Sequence, residues 1–223
     1  MSACPAVRLL DLGMSCYDEA LALQHTLRAE RRAGTGCDTL VLTEHRPVLT
    51  LGVRADGSHL LISEDDARAR GVQVARVDRG GDITYHGPGQ MVVYPILQLA
   101  GFRQDVRWYV RSLEETAIRL LATYGLTGER RSGMPGVWAG AGKIASVGVH
   151  ISRWATMHGI AINIAPDLTP FSWINPCGYP GLVVTSVERE TGAAPDMAEA
   201  KERFAAAFAD VFECRVCGGP RLC

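Results

Sequence analysis

Cys177 lies between Pro176 and Gly178 in the segment NPCGYPG (175–181), where tight turns hold side chains in place of core packing. Lys143 lies in AGAGKIASVG (139–148) and is the only formally charged residue between Ser132 and His150. It is also one of only two lysines in a chain with 21 arginines. An isolated thiol is only a few per cent thiolate at neutral pH, and a neighbouring amine can take or stabilise its proton. In an apolar setting the ammonium is disfavoured alone and favoured beside a thiolate, so the two groups would titrate as a pair. Folded together, they would form a nucleophile for acyl transfer. Folded apart, Cys177 reads as a small hydrophobe and Lys143 as an ordinary strand-end cation.

Other chemistry-bearing patterns fail on spacing. GAGKIA (140–145) has the glycine spacing of a dinucleotide loop, but a strand-like run follows and no acid appears before Asp167 to hold a ribose. A phosphate loop is excluded because Ile144 follows Gly142-Lys143 and Val137 replaces the first glycine. Cys214, Cys217 and Cys223 give half a zinc site, and we read them as thiols near a frayed tail; no metal is expected. The seven cysteines are scattered and read mostly as plain thiols. No two of the six histidines form an H-x-x-x-H pair; His86 and His158 stand in glycine-rich context, where substrate-lining and structural roles compete evenly.

The elements that must position these residues belong to an ordinary core-forming chain of 223 residues, 47% hydrophobic and 21% charged. A net charge of -1 leaves no bulk field for a polyanion, so nucleic-acid binding is not expected. The opening MSACPAVRLL lacks a basic leader, and the uncharged stretch Leu168 to Val187 is broken by Pro170, Pro176 and Pro180, so a membrane span is not expected either. The expectation is a cytoplasmic protein whose residues 1–223 form a single domain.

Hydrophobic periodicity predicts strands over Val7–Leu12, Thr39–Thr43, Val48–Val53, Val72–Val77 and 91–99, with Pro95 placing the last at an edge or bulge. Ser15 is expected to cap a helix to about Arg32, Ser63 a short acidic helix ending before Gly71, and Asp105 a core helix over about 106–124. Lys143–Ser152 and Met157–Ile164 read as a hairpin, Val183–Val187 as a strand, and Met197 to about Glu213 as a final helix. Clustered strands with dispersed helices indicate an α+β fold.

Four blocks together carry a family resemblance: RGGDITYHGPGQ (79–90), PGVW (135–138), KIASVGVHISRWATMHGIAINI (143–164) and INPCG (174–178). In this order they resemble octanoyl-acyl-carrier-protein:protein octanoyltransferases, the lipoate-protein ligase B family. The resemblance implies a fold of the biotin/lipoate ligase type, with mixed sheets and flanking helices. It also implies that Cys177 carries an acyl thioester and that Lys143 activates it. Substrate contacts are implied for Arg79, Gly80, Gly81, Asp82, Ile83, Thr84, Tyr85 and His86, for Ser146, Val147 and Gly148, and for Gly159, Ile160 and Ala161. Asp82 occupies a variable position of its block.

The implied donor is octanoyl-acyl carrier protein, and the implied acceptors are lipoyl domains of 2-oxoacid dehydrogenase complexes and the glycine cleavage H protein. A thioester donor is already activated, so no cofactor and no ATP are expected. In the implied sequence Lys143 helps deprotonate Cys177, which takes the octanoyl group, and a lipoyl-domain lysine then attacks the enzyme thioester while Lys143 relays a proton. Two rivals share the fold: an ATP-dependent lipoate or biotin ligase, in which Cys177 would have no function, and a non-catalytic protein that binds acyl groups or lipoyl domains.

Overall fold

The computed structural model describes residues 4–218, with only the backbone of Cys177. In chain order the elements are β1 (Ala6–Ser15), α1 (Tyr17–Arg32), β2 (Thr39–His45), β3 (Val48–Leu51), α2 (Glu64–Ala69), β4 (Gln73–Arg76), β5 (Ile83–His86) and β6 (Gln90–Ile96). They continue with α3 (Val106–Ala122), β7 (Gly128–Arg131), β8 (Met134–Ala139), β9 (Gly142–Ser152), β10 (Ala155–Asn163), α4 (Val187–Thr191), α5 (Met197–Val211) and β11 (Arg215–Gly218).

Eight strands form a mixed sheet in the order β11-β1-β2-β6-β10-β9-β8-β7, and β4-β3-β5 form a smaller one. Period-two alternation gives the large sheet two buried faces. Along β6, Met91 and Val93 join the core built with Leu113, Leu120, Phe204 and Phe208 of α3 and α5. Val92, Tyr94 and Ile96 point the other way, toward Ala20 and Leu27 of α1. The small sheet has its own core, with Ala67 of α2 and Phe171 and Ile174 of the connecting segment. Asp105 caps α3 by accepting from the Trp108 N–H at 3.0 Å, and Ser63 caps α2 in the same way through Asp66.

Four sequence expectations are corrected. Ser15 does not cap α1: it ends β1, and its Oγ bonds Thr43 Oγ1 at 2.8 Å and His45 Nδ1 at 3.2 Å. Pro95, expected at an edge or bulge, is not on an edge, because β6 lies between β2 and β10, and the irregularity falls in the facing strand instead. The register Ile160↔Val93 and Gln98↔Ala155 sets Pro95 opposite His158, whose φ of +57° interrupts the ladder where proline has no N–H to offer. Val183–Val187 is not a strand: only Val184 bridges to Lys143, and Ser186 then caps α4. The segment around Cys214 and Cys217 is not a frayed tail, because β11 pairs in parallel with β1 and Cys214 is buried. Cys223 lies outside the described residues. Cys4, Cys16, Cys214 and Cys217 are free thiols, whereas Cys37 is disulfide-bonded.

Candidate active site

Lys143 is the second residue of β9 and only 3% exposed. It sits where the β8–β9 register shifts between Val137 and Trp138, which leaves its backbone to the segment arriving from the cysteine loop. Its N–H donates to Val183 O at 2.8 Å and its carbonyl accepts from Thr185 N–H at 3.0 Å. The ammonium lies 5.1 Å from the centroid of the Trp138 ring, an attractive cation–π arrangement. Gly136 makes room for the stem. With φ at +133°, a Cβ there would stand 2.7 Å from Lys143 Cε and 2.4 Å from Ala145 O.

Cys177 lies in a short 3-10 turn, Pro176–Gly178, docked on the loop before α2: Asn175 N–H donates to His59 O at 2.8 Å. Its neighbours Gly178 and Tyr179 line a cavity of about 550 Å³ together with Lys143, Arg54, His59 and Asp82. That cavity shares Gly81, Asp82, Val147 and Gly148 with a narrower slot of about 40 Å³ running between the two sheets. The structure therefore brings Lys143 and the backbone flanking Cys177 to one opening at the mouth of one slot.

The slot is walled on one side by Arg79, Gly81, Asp82, Ile83, Thr84 and His86, and on the other by Ser146, Val147, Gly148, Gly159, Ile160 and Ala161. Gly80 lines the wider cavity, and its N–H donates to Val149 O at 2.9 Å, fastening this loop to β9. Gly148 permits that approach, since a Cβ there would meet Gly80 O at 2.9 Å. Tyr85 lines neither space. Strand alternation turns it into the small-sheet core, edge-on to Phe171. Tyr17, Val92 and Tyr94 also line the slot, and sequence reasoning did not single them out. The alternation of MVVYP, which sets Val92 and Tyr94 on one face, was the available signal.

Burial keeps the slot's histidines uncharged. His86 is pushed down to about 3 by desolvation, with His45 nearby adding to the effect, and its Nδ1 bonds Gln90 Oε1 at 2.6 Å. His45 is likewise lowered to about 4 by burial and pairs with the Tyr94 hydroxyl at 2.7 Å. His158 is lowered by desolvation against the opposing pull of Asp78, whose Oδ1 lies 2.7 Å from His158 Nε2. That hydrogen bond, with the Arg28 guanidinium nearby, holds Asp78 well below the usual carboxylate range. Arg79 is anchored away from the opening by Thr50, its Nη2 donating to Thr50 O at 2.6 Å. A largely apolar slot that opens into a wider, more polar cavity gives an apolar chain and a reactive head separate surroundings.

His59 was also missed from sequence. It follows the Asp56–Ser58 turn, lines the wider cavity, and its Nδ1 makes a very short contact with Asp82 Oδ2. Among the described residues no three His, Cys, Asp or Glu side chains gather as a metal site, and no helix is long and apolar enough to cross a membrane.

The family model of the lipoyl protein ligase A/B catalytic domain matches residues 16–209. An octanoyltransferase of Chloroflexus aurantiacus is 49% identical over 204 residues, covering 90% of this chain and 92% of that protein. The chain belongs to the octanoyltransferase family. Another relative in this family, an octanoyltransferase of Geotalea uraniireducens, is 46% identical over 202 residues, 91% of each chain. The fold is that of the lipoate and biotin ligases. A crystal structure of lipoate-protein ligase A bound with ATP superposes with a TM-score of 0.77 at 18% identity, over 96% of this chain and 88% of that one. The biotin protein ligase of Aquifex aeolicus gives 0.54 at 12% identity, over 92% and 69%.

Proposed function

We propose that this chain transfers an octanoyl group from octanoyl-acyl carrier protein to a lysine of lipoyl domains through a thioester on Cys177. The observation that carries this reading is that Lys143, the residues beside Cys177 and the mouth of the inter-sheet slot share one opening. The acyl chain lies in the slot, its carbonyl reaches the opening, and Lys143 takes the thiol proton as sulfur attacks. The carrier's thiol leaves, and the acceptor lysine's amine then displaces sulfur to give the amide. Thioester exchange is nearly isoenergetic and amide formation is downhill, so the cycle runs without ATP. We propose that the chain acts as one catalytic domain, with acceptors among the lipoyl domains of 2-oxoacid dehydrogenase complexes and the glycine cleavage H protein.

Intact-mass spectrometry after mixing the protein with octanoyl-acyl carrier protein, without ATP, tests this. The expected result is one octanoyl adduct that is lost in Cys177→Ala and is discharged by a lipoyl domain. Because the fold is shared with an ATP-bound ligase, a parallel arm supplies free octanoate with ATP. Turnover in that arm alone would replace this reading with an ATP-dependent ligase.

A further inference from the structure

The reaction proposed above needs two deprotonations, and Lys143 is positioned for only one of them without conflict. The incoming lysine arrives as an ammonium, with an ordinary pKa of about 10.4. Fewer than about one in a thousand such amines is neutral at pH 7, and the amine must also shed a second proton once it bonds to carbon. A lysine base matches that demand poorly, whereas imidazole exchanges protons in the neutral range.

His59 sits where such a base would act. It lines the same 550 Å³ cavity as Lys143, Gly178 and Tyr179, and its side chain keeps 33% of its surface exposed. Asp82 is 6% exposed and lies at the junction, lining both the cavity and the slot. Its Oδ2 accepts from His59 Nδ1, which fixes the tautomer and leaves Nε2 as the proton acceptor. Its Oδ1 is buried and has no hydrogen-bond partner among the described atoms. The pair is also packed against the cysteine turn: a Cβ on Gly178 would lie 2.9 Å from His59 Cε1 and 3.2 Å from Asp82 Oδ2. The ionisable groups around His59 are Asp82 from the preceding loop of β5, Lys143 from β9, Tyr179 from the cysteine segment, and Arg54 and Asp56 from its own loop.

We infer that His59, oriented by Asp82, is the general base for the second half-reaction and accepts the proton of the attacking acceptor amine. The step balances as follows. The acceptor ammonium gives one proton to solvent, and its nitrogen lone pair bonds to the thioester carbonyl carbon. The nitrogen's surplus proton passes to His59 Nε2. The carbon–sulfur bond breaks with its electrons on Cys177 sulfur, and the imidazolium returns its proton to that thiolate. Amide, thiol and one solvent proton result.

This inference rests on the proposed thioester cycle, and the test separates the two. The full chain is octanoylated with octanoyl-acyl carrier protein, and the octanoyl-enzyme is then mixed with a lipoyl domain while both half-reactions are timed by rapid quench and intact mass. In His59→Ala the ratio of transfer rate to acylation rate should fall by roughly 10²-fold, the transfer rate should rise more steeply with pH, and added imidazole should restore part of it. Asp82→Asn should lower the same ratio without imidazole rescue. Equal loss of both half-reactions with an unaltered pH profile, or an unchanged ratio in both variants, would overturn the assignment to His59. Should His59→Ala not fold, Asp82→Asn and His59→Gln decide on the same ratio. A wild-type protein that forms no octanoyl-enzyme would instead refute the thioester cycle itself.

Discussion

The position of the Lys143 amine is set by what its neighbours lack. Gly136 tolerates φ of +133° and leaves room that any side chain would fill. Gly136→Ala should therefore push the lysine stem out of register, lowering turnover by roughly 10²-fold and stability by about 1–3 kcal/mol. Steady-state kinetics and urea unfolding check the two effects separately, and wild-type turnover in a folded variant would contradict this account. Lys143 and Cys177 were legible in the sequence because each is chemically conspicuous in its surroundings, one the sole charge in a long neutral run and the other fixed between proline and glycine. His59 was not legible. It becomes notable only through Asp82, which is 23 residues away in sequence and joined to it by tertiary packing.

At the level of elements, local signals carried well where the backbone's own needs decided the outcome. Asp105 stands before a helix-period apolar run and caps α3, so Asp105→Ala should cost about 1 kcal/mol in thermal or urea unfolding. Val183–Val187 shows the opposite case. Its residues favour a strand, but β9 is already flanked by β8 and β10, and only the backbone of Lys143 remains to pair with it. Pro95 misled for a related reason, since proline's missing donor is accommodated by a left-handed residue in the facing strand, which no local pattern encodes. Docking of β11 beside β1 buries Cys214, and burial first of all pushes its thiol up to about 12. Under native conditions a disulfide reagent should modify exposed Cys4 and leave Cys214 unreacted until the protein is denatured, as peptide mapping would show.

The whole molecule places a second sheet over the first and buries histidines at their junction. His45 and His86 ionise near 6.5 when unfolded but are held to about 4 and about 3 by desolvation in the fold. The unfolded chain then binds protons that the native state refuses, so their contribution is intact above pH 6.5 and lost as the pH falls toward 4. Each should remove ~1.4 kcal/mol per pH unit across that window. Urea titrations at several pH values should show His45→Gln flattening the slope by one such increment; an unchanged slope would contradict this. The α+β class was readable from clustered strands, but the division into two sheets was not, because β3, β4 and β5 are chosen by long-range register. Finally, both lysines are withdrawn from the surface: Lys143 is reached only through the cavity, and Lys201 is 7% exposed with its Nζ 2.8 Å from Asp11 Oδ1. No lysine side chain is therefore displayed to bulk solvent for stray esters to decorate, and crosslinkers that join surface amines would trap this protein poorly with its partners, so capture would need carboxyl- or thiol-directed reagents.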